Sequence, residues 1–151
     1  DFLSSSDFIS EKYRSFNPED FHKTVFRNIP DEVRDPSTSK FLEDVSETYE
    51  VSFFTNNSRH AVSGYLDEID MDVNVIIGCE SLDRLKPSRI SYDNFLVKSD
   101  LDPEECIMVE DNEINLEIPK ELGMNTVLIG YSQEAYIDLC VNHLREVGDY
   151  I

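Results

Sequence analysis

Three short clusters in this chain have residue types suited to handling a phosphate group: Thr55-Asn56-Asn57, Lys86-Pro87-Ser88, and Glu110-Asp111 followed shortly by Asn115. A hydroxyl and backbone amides after a strand can hold phosphate oxygens, and a lysine can neutralise charge that develops on them. Two adjacent carboxylates can hold Mg2+, which prefers oxygen ligands. Each cluster also has an ordinary reading. Thr-Asn-Asn is a common turn, a lone lysine on an acidic protein is commonly solvated, and a Glu-Asp pair ahead of a helix complements the helix dipole. What separates the readings is where the chain puts the clusters.

From about residue 37 the hydrophobic pattern becomes regular. Ser37 or Thr38 can cap a helix with Phe41, Leu42 and Val45 on one face, and Asp35-Pro36 stops a helix from running in. Tyr49 to Phe54 reads as a strand, the segment with Ala61, Val62, Tyr65, Leu66 and Ile69 as a helix, and Val73 to Ile77 as a second strand. A helix over Arg89 to Lys98, a strand over Cys106 to Val109 and a helix over Glu113 to Leu122 follow, the last closed by Gly123. The strand Thr126 to Ile129 and a helix from about Ser132 to Glu146 complete the series. Helices alternating with short, continuously apolar strands predict an α/β fold: a three-layer, Rossmann-like parallel sheet with helices on both faces. Such folds bind ligands at the carboxyl ends of their strands, where Thr55-Asn56-Asn57 and Glu110-Asp111 fall. Residues 35–151 read as this core. Residues 1–34, with Pro18 and Pro30 and no clear period, read as a small lid, an insertion or an arm.

The chain has 151 residues, with 13 Lys and Arg against 32 Asp and Glu, a formal charge of −19. That balance disfavours nucleic acid and anionic lipid, whose binding relies on cationic side chains. A phosphorylated substrate would need local compensation, for which a divalent cation is suited. No apolar run reaches the roughly 20 residues of a membrane-spanning helix, and the residues at the start of the chain have neither a basic leader nor an apolar core. Cys79, Cys106 and Cys140 are far apart and odd in number, as expected of a reduced, intracellular (cytoplasmic) protein, with Cys106 a packed thiol. His22, His60 and His143 show neither metal-ligand spacing nor a neighbouring nucleophile, so zinc and a Ser/His triad are not supported.

In order and context, TNNSRHAV followed by KPSRISYDNFLVKSDLDPEECIMVEDNEINLEIPKELGMNTVLIG resembles the second, third and fourth motifs of the haloacid dehalogenase (HAD) superfamily of phosphohydrolases. The likeness is densest from Lys86 to Gly130 and reaches back more loosely to about Phe41. It implies that Thr55, with Asn56 beside it, binds a phosphoryl group and that Lys86 stabilises the phosphoryl intermediate. It also implies that Glu110 and Asp111 hold Mg2+, with Asn115 at the accompanying polar position. The reaction so implied is phosphomonoester hydrolysis of a small phosphorylated substrate. A receiver domain of two-component signalling is excluded by order, because there the acidic pair comes first and the Lys-Pro last.

Two departures from the family stand out. Pro119 falls inside the helix after the acidic pair, where a backbone hydrogen bond is expected to be lost. More important, the first motif, an apolar strand ending in Asp-x-Asp whose first aspartate is the nucleophile, is not found, so the nucleophile is unassigned. Asp70-Met71-Asp72 precedes a strand, Asp100-Leu101-Asp102 lies in a turn, and Asp1 and Asp7 have no strand upstream. Both ends look trimmed, Gly148-Asp149-Tyr150-Ile151 resembling the start of a final strand, so the expectation is a longer natural chain that supplies the first strand. Otherwise Thr24 to Ile29 fills the gap, with Asp31 the nearest acid and Val33 where its partner should be, and the family mechanism cannot run. The alternative function is then a catalytically inactive HAD-like scaffold that binds a basic protein partner.

Overall fold

The structure, a computed structural model, describes residues 36–69, 71 and 73–151. The expectations for residues 1–34, for Thr24 to Ile29 and for Asp70 and Asp72 lie outside the described residues. The chain divides into two compact units, one ending at Leu85 and the other running from Lys86 to Ile151.

The first unit begins with α1 (Pro36–Ser46). Pro36 opens this helix, since a fixed φ and a missing N–H cost nothing at a first helical position, and Ser37 and Thr38 fall inside the first turn instead of capping it. Leu42 is its buried residue, as the apolar face predicted. Strand β1 (Ser52–Phe54) and strand β2 (Val75–Ile77) pair in parallel, Ser52 opposite Val75 and Phe54 opposite Ile77. Both are shorter than their apolar runs. Between them runs α2 (Arg59–Glu68), the right-sized crossover for parallel neighbours. Among the described residues of this unit Leu42, Leu66, Met71, Ile77 and Leu85 are the buried apolar ones.

In the second unit α3 (Arg89–Ser99) leads through a left-handed Asp100 and a 3-10 turn at Pro103–Glu105 to β3 (Ile107–Glu110). Asp102 caps that turn by accepting from the Glu104 N–H at 3.1 Å, so Asp100-Leu101-Asp102 is turn chemistry, as expected. A 3-10 turn at Glu113–Asn115 and α4 (Glu117–Leu122) follow, then β4 (Asn125–Ile129) and β5 (Leu139–Val141). The ladder runs β3-β4-β5, all parallel. Gly123 ends α4 at φ 99°, the left-handed geometry for which glycine was expected. Tyr92, Phe95, Leu116, Met124, Val127, Leu128, Val141 and Val147 make its core.

Three expectations are corrected. The helix predicted over Ser132 to Glu146 is replaced by irregular chain and β5, because Leu139, Cys140 and Val141 complete the ladder beside Val127, Leu128 and Ile129. A three-residue apolar run does not distinguish helix from strand by period alone, and here the open β4 edge decides. The tail Gly148 to Ile151 does not begin a strand, since a 3-10 helix spans Leu144–Asp149. Pro119 costs no helical hydrogen bond: α4 starts only at Glu117, so Pro119 lies in the first turn, where N–H groups have no intrahelical partner.

Candidate functional site

In the first unit the β1 and β2 ends are in register, which sets Thr55 and Gly78 level with one another just past the ladder. Thr55 continues the pairing, its N–H donating to the Ile77 carbonyl at 2.9 Å, and its Oγ1 accepts from the Asn57 N–H at 3.0 Å. Thr55 and Asn56 are half-buried. Ser58, fully buried, caps α2 by accepting from the His60 N–H at 3.1 Å. The Arg59 N–H donates to both carboxylate oxygens of Glu80 at 3.1 Å. Burial is the strongest single influence on Glu80 and pushes its carboxyl up. Hydrogen bonds from the Ser58 hydroxyl, the Arg59 N–H and its own N–H, with nearby His60, together outweigh it and hold the group below its ordinary value. The predicted phosphoryl-binding residues are thus on an ordered turn at the carboxyl end of a parallel strand.

In the second unit the structure brings Lys86, Glu110 and Asn115 together. The Lys86 ammonium donates to Glu110 Oε1, with the two side chains only 7% and 9% exposed. Asn115 Nδ2 donates to the same oxygen at 3.1 Å, while Oε2 accepts from the backbone N–H groups of Asp111 at 3.2 Å and Asn112 at 3.5 Å. A carboxylate taken from water requires this degree of compensation. Asp111 is exposed beside it. Behind them Tyr92, 0% exposed, donates its hydroxyl to the Asn115 carbonyl at 2.8 Å, and burial first, then the Glu110 charge, push its phenol well above the usual tyrosine range.

The donor set at the end of β3 fits a hard divalent cation, being carboxylate oxygen without thiolate or imidazole. Among the described residues no group of three acidic, His or Cys side chains is placed to hold a metal. Two residues of these hydrogen-bond networks carry little signal in the sequence. Tyr92 reads in sequence as one more apolar helix residue, although a buried phenol needs a partner. Glu80 follows a strand end closely, and that position was its only signal. The three cysteines are unbridged, and Cys106 sits just before β3, its thiol donating to the Asp102 carbonyl at 3.1 Å. Burial, with Asp102 and Glu105, pushes that thiol up, which fits an unreactive role. No described helix is long and apolar enough to cross a membrane.

The family model for haloacid dehalogenase-like hydrolases matches residues 4–129 of the chain. The chain belongs to that family. Among solved structures, it is similar to a dehalogenase captured with an intermediate complex, at 24% identity and a TM-score of 0.68 over 78% of this chain and 56% of that one. It is similar to β-phosphoglucomutase from Clostridium difficile, at 16% identity and a TM-score of 0.66 over 85% of this chain and 59% of that one. CbbY from Rhodobacter sphaeroides, solved with phosphate, gives 20% identity and a TM-score of 0.60 over 75% and 55%. The chain therefore spans less than two thirds of the length of these three, and at such identities the likeness is one of fold. No curated protein sequence matches the chain. Together with the parallel ladders this makes the fold α/β and Rossmann-like, as expected.

Proposed function

We propose that this chain is the core of an intracellular, Mg2+-dependent phosphomonoesterase acting on a small phosphorylated substrate, its nucleophile outside the residues assigned here. The observation that carries the reading is the buried Lys86–Glu110 pair at the carboxyl end of β3, beside the exposed Asp111. A buried ion pair is a poor source of stability, so its presence at a strand end is better explained by a charge needed there. Thr55 and Asn56 would hold phosphoryl oxygens and Lys86 would offset their charge. Glu110 and Asp111 would hold the Mg2+, which supplies positive charge to the substrate oxygens. Family membership supports hydrolysis, and the β-phosphoglucomutase and CbbY folds are compatible with a phosphorylated substrate.

The test is release of inorganic phosphate from a panel of phosphomonoesters by protein purified from its natural source, with and without Mg2+. Turnover that requires Mg2+ and is lost in Thr55→Val and Asp111→Asn supports the reading. Absence of turnover across the panel overturns it.

A second reading is favoured by the Glu110 carboxylate, which internal donors occupy on both oxygens, on a chain of charge −19. This is the inactive scaffold that binds a basic protein. Its test is a partner that co-purifies at low ionic strength and is released by salt.

A further inference from the structure

The segment after β2 is bound closely to the turn that carries Thr55. Three contacts span them: the Thr55 N–H to the Ile77 carbonyl at 2.9 Å, the Cys79 N–H to the Asn57 carbonyl at 2.9 Å, and the Arg59 N–H to the Glu80 carboxylate. Gly78 lies in the middle, where an added Cβ would run into the Arg59 backbone nitrogen and Glu80 Oε2. Backbone cannot yield there as a flexible side chain could, so even a methyl group would push the two segments apart. Of the three contacts only the last uses a side chain. The carboxylate thus takes the first N–H of α2, leaving Ser58 Oγ for the second.

We propose that Glu80 is a positioning residue for phosphoryl recognition, holding the Thr55–Ser58 turn against the end of β2 so that the Thr55 hydroxyl and neighbouring amides keep one geometry. The inference rests on the phosphohydrolase reading. Glu80 does not touch the substrate in this role. Its part, although it is exposed, is to accept the Arg59 N–H on both carboxylate oxygens, a contact whose loss would leave the start of α2 free to shift. Because the work is done by the acceptor oxygen, glutamine should substitute for it largely, and alanine should not.

The test uses the full chain with orthophosphate as the probe, its binding followed by calorimetry and the Asn57 and Arg59 amides by hydrogen exchange. Glu80→Ala is expected to weaken orthophosphate binding about tenfold, the scale of losing one hydrogen bond to a charged group, and to speed exchange at both amides. Glu80→Gln should stay within about threefold of the unaltered protein in binding, since one acceptor remains. Unchanged binding and exchange in Glu80→Ala overturns the assignment. So does tighter binding, which would make Glu80 a competing anion, or an equal loss in Glu80→Gln, which would make charge rather than acceptance decisive. If Glu80→Ala does not fold, Glu80→Asp keeps the charge but shortens the reach: weakening supports positioning and no change overturns it. Failure of the unaltered protein to bind orthophosphate overturns the phosphohydrolase reading itself, a result distinct from a variant that binds as well as its parent.

Discussion

The Lys86 ammonium and the Glu110 carboxylate face each other with 7% and 9% of their side chains exposed, across 24 residues of sequence. The pair ties the residue that opens α3's approach to the last residue of β3. Both charges have been taken from water, so each depends on the other.

Removing only one partner should therefore be costly. Lys86→Met leaves a buried carboxylate with amide donors alone and should destabilise the protein by about 3 kcal/mol, whereas the double change with Glu110→Gln should recover a large part of that loss. Urea denaturation of the four proteins in the cycle measures it. A Lys86→Met protein as stable as its parent would show that the pair is not desolvated in solution.

Asp111 should behave in the opposite way. It is exposed and caps nothing with its side chain, so Asp111→Asn should change stability by no more than about 0.5 kcal/mol. If Asp111 holds Mg2+ as proposed, the same change should remove the heat that Mg2+ titration of the parent is expected to give. A heat that is equal in parent and variant would overturn that role for Asp111.

The places of Thr55 in one unit and of Glu110 and Asp111 in the other were legible because strand ends in parallel α/β folds concentrate polar residues, and each falls at or just past such an end. The α2 and α3 helices could be read from their apolar spacing, and Gly123 announced a helix end. What could not be read depends on partners distant in sequence. Strand β5 exists because β4 offers it an edge, and nothing local to Leu139-Cys140-Val141 states that. Likewise Glu80 matters through Arg59, 21 residues earlier, and Tyr92 through the Asn115 carbonyl, 23 residues later. Pro119 reads as a helix interior residue only because a 3-10 turn and a short helix follow each other in one unbroken pattern.

Tyr92 gives a prediction at alkaline pH. Its folded phenol lies far above the unfolded value near 10, chiefly through burial and then the Glu110 charge. The stability linked to it is fully present below about pH 10 and is lost as pH rises beyond that, because the unfolded chain gives up the proton first. Absorbance at alkaline pH should show Tyr92 ionising only as the protein unfolds. Tyr92→Phe should remove that unfolding-linked component and cost about 1 kcal/mol at neutral pH through the lost hydrogen bond to Asn115. Gradual ionisation of every tyrosine in the folded protein would contradict this.

The acid side is governed by a different contact. Asp138 accepts from Lys120 at 2.5 Å and from the Thr126 N–H at 2.9 Å, and the fully buried Thr126 hydroxyl lies within 2.9 Å of its second oxygen. The Lys120 hydrogen bond above all holds this carboxyl below its ordinary value; burial opposes it, and the Thr126 bonds reinforce it. A depressed folded value means that the unfolded chain takes up the proton first as pH falls. The linked stability is therefore present above about pH 4 and is lost progressively below it. Because both partners of the ion pair are more than a third exposed, salt should screen the Lys120 part, so the Thr126 bonds should carry most of the loss. Asp138→Ala should accordingly destabilise the protein at pH 7 by about 1 to 2 kcal/mol, and Lys120→Met by clearly less. The gap between parent and Asp138→Ala should close as the pH is lowered toward 2, which denaturant unfolding at a series of pH values would measure. A gap that stays constant across that range would mean that the Asp138 side chain acts independently of its ionisation, since alanine keeps the backbone N–H that meets the Thr126 carbonyl at 3.0 Å.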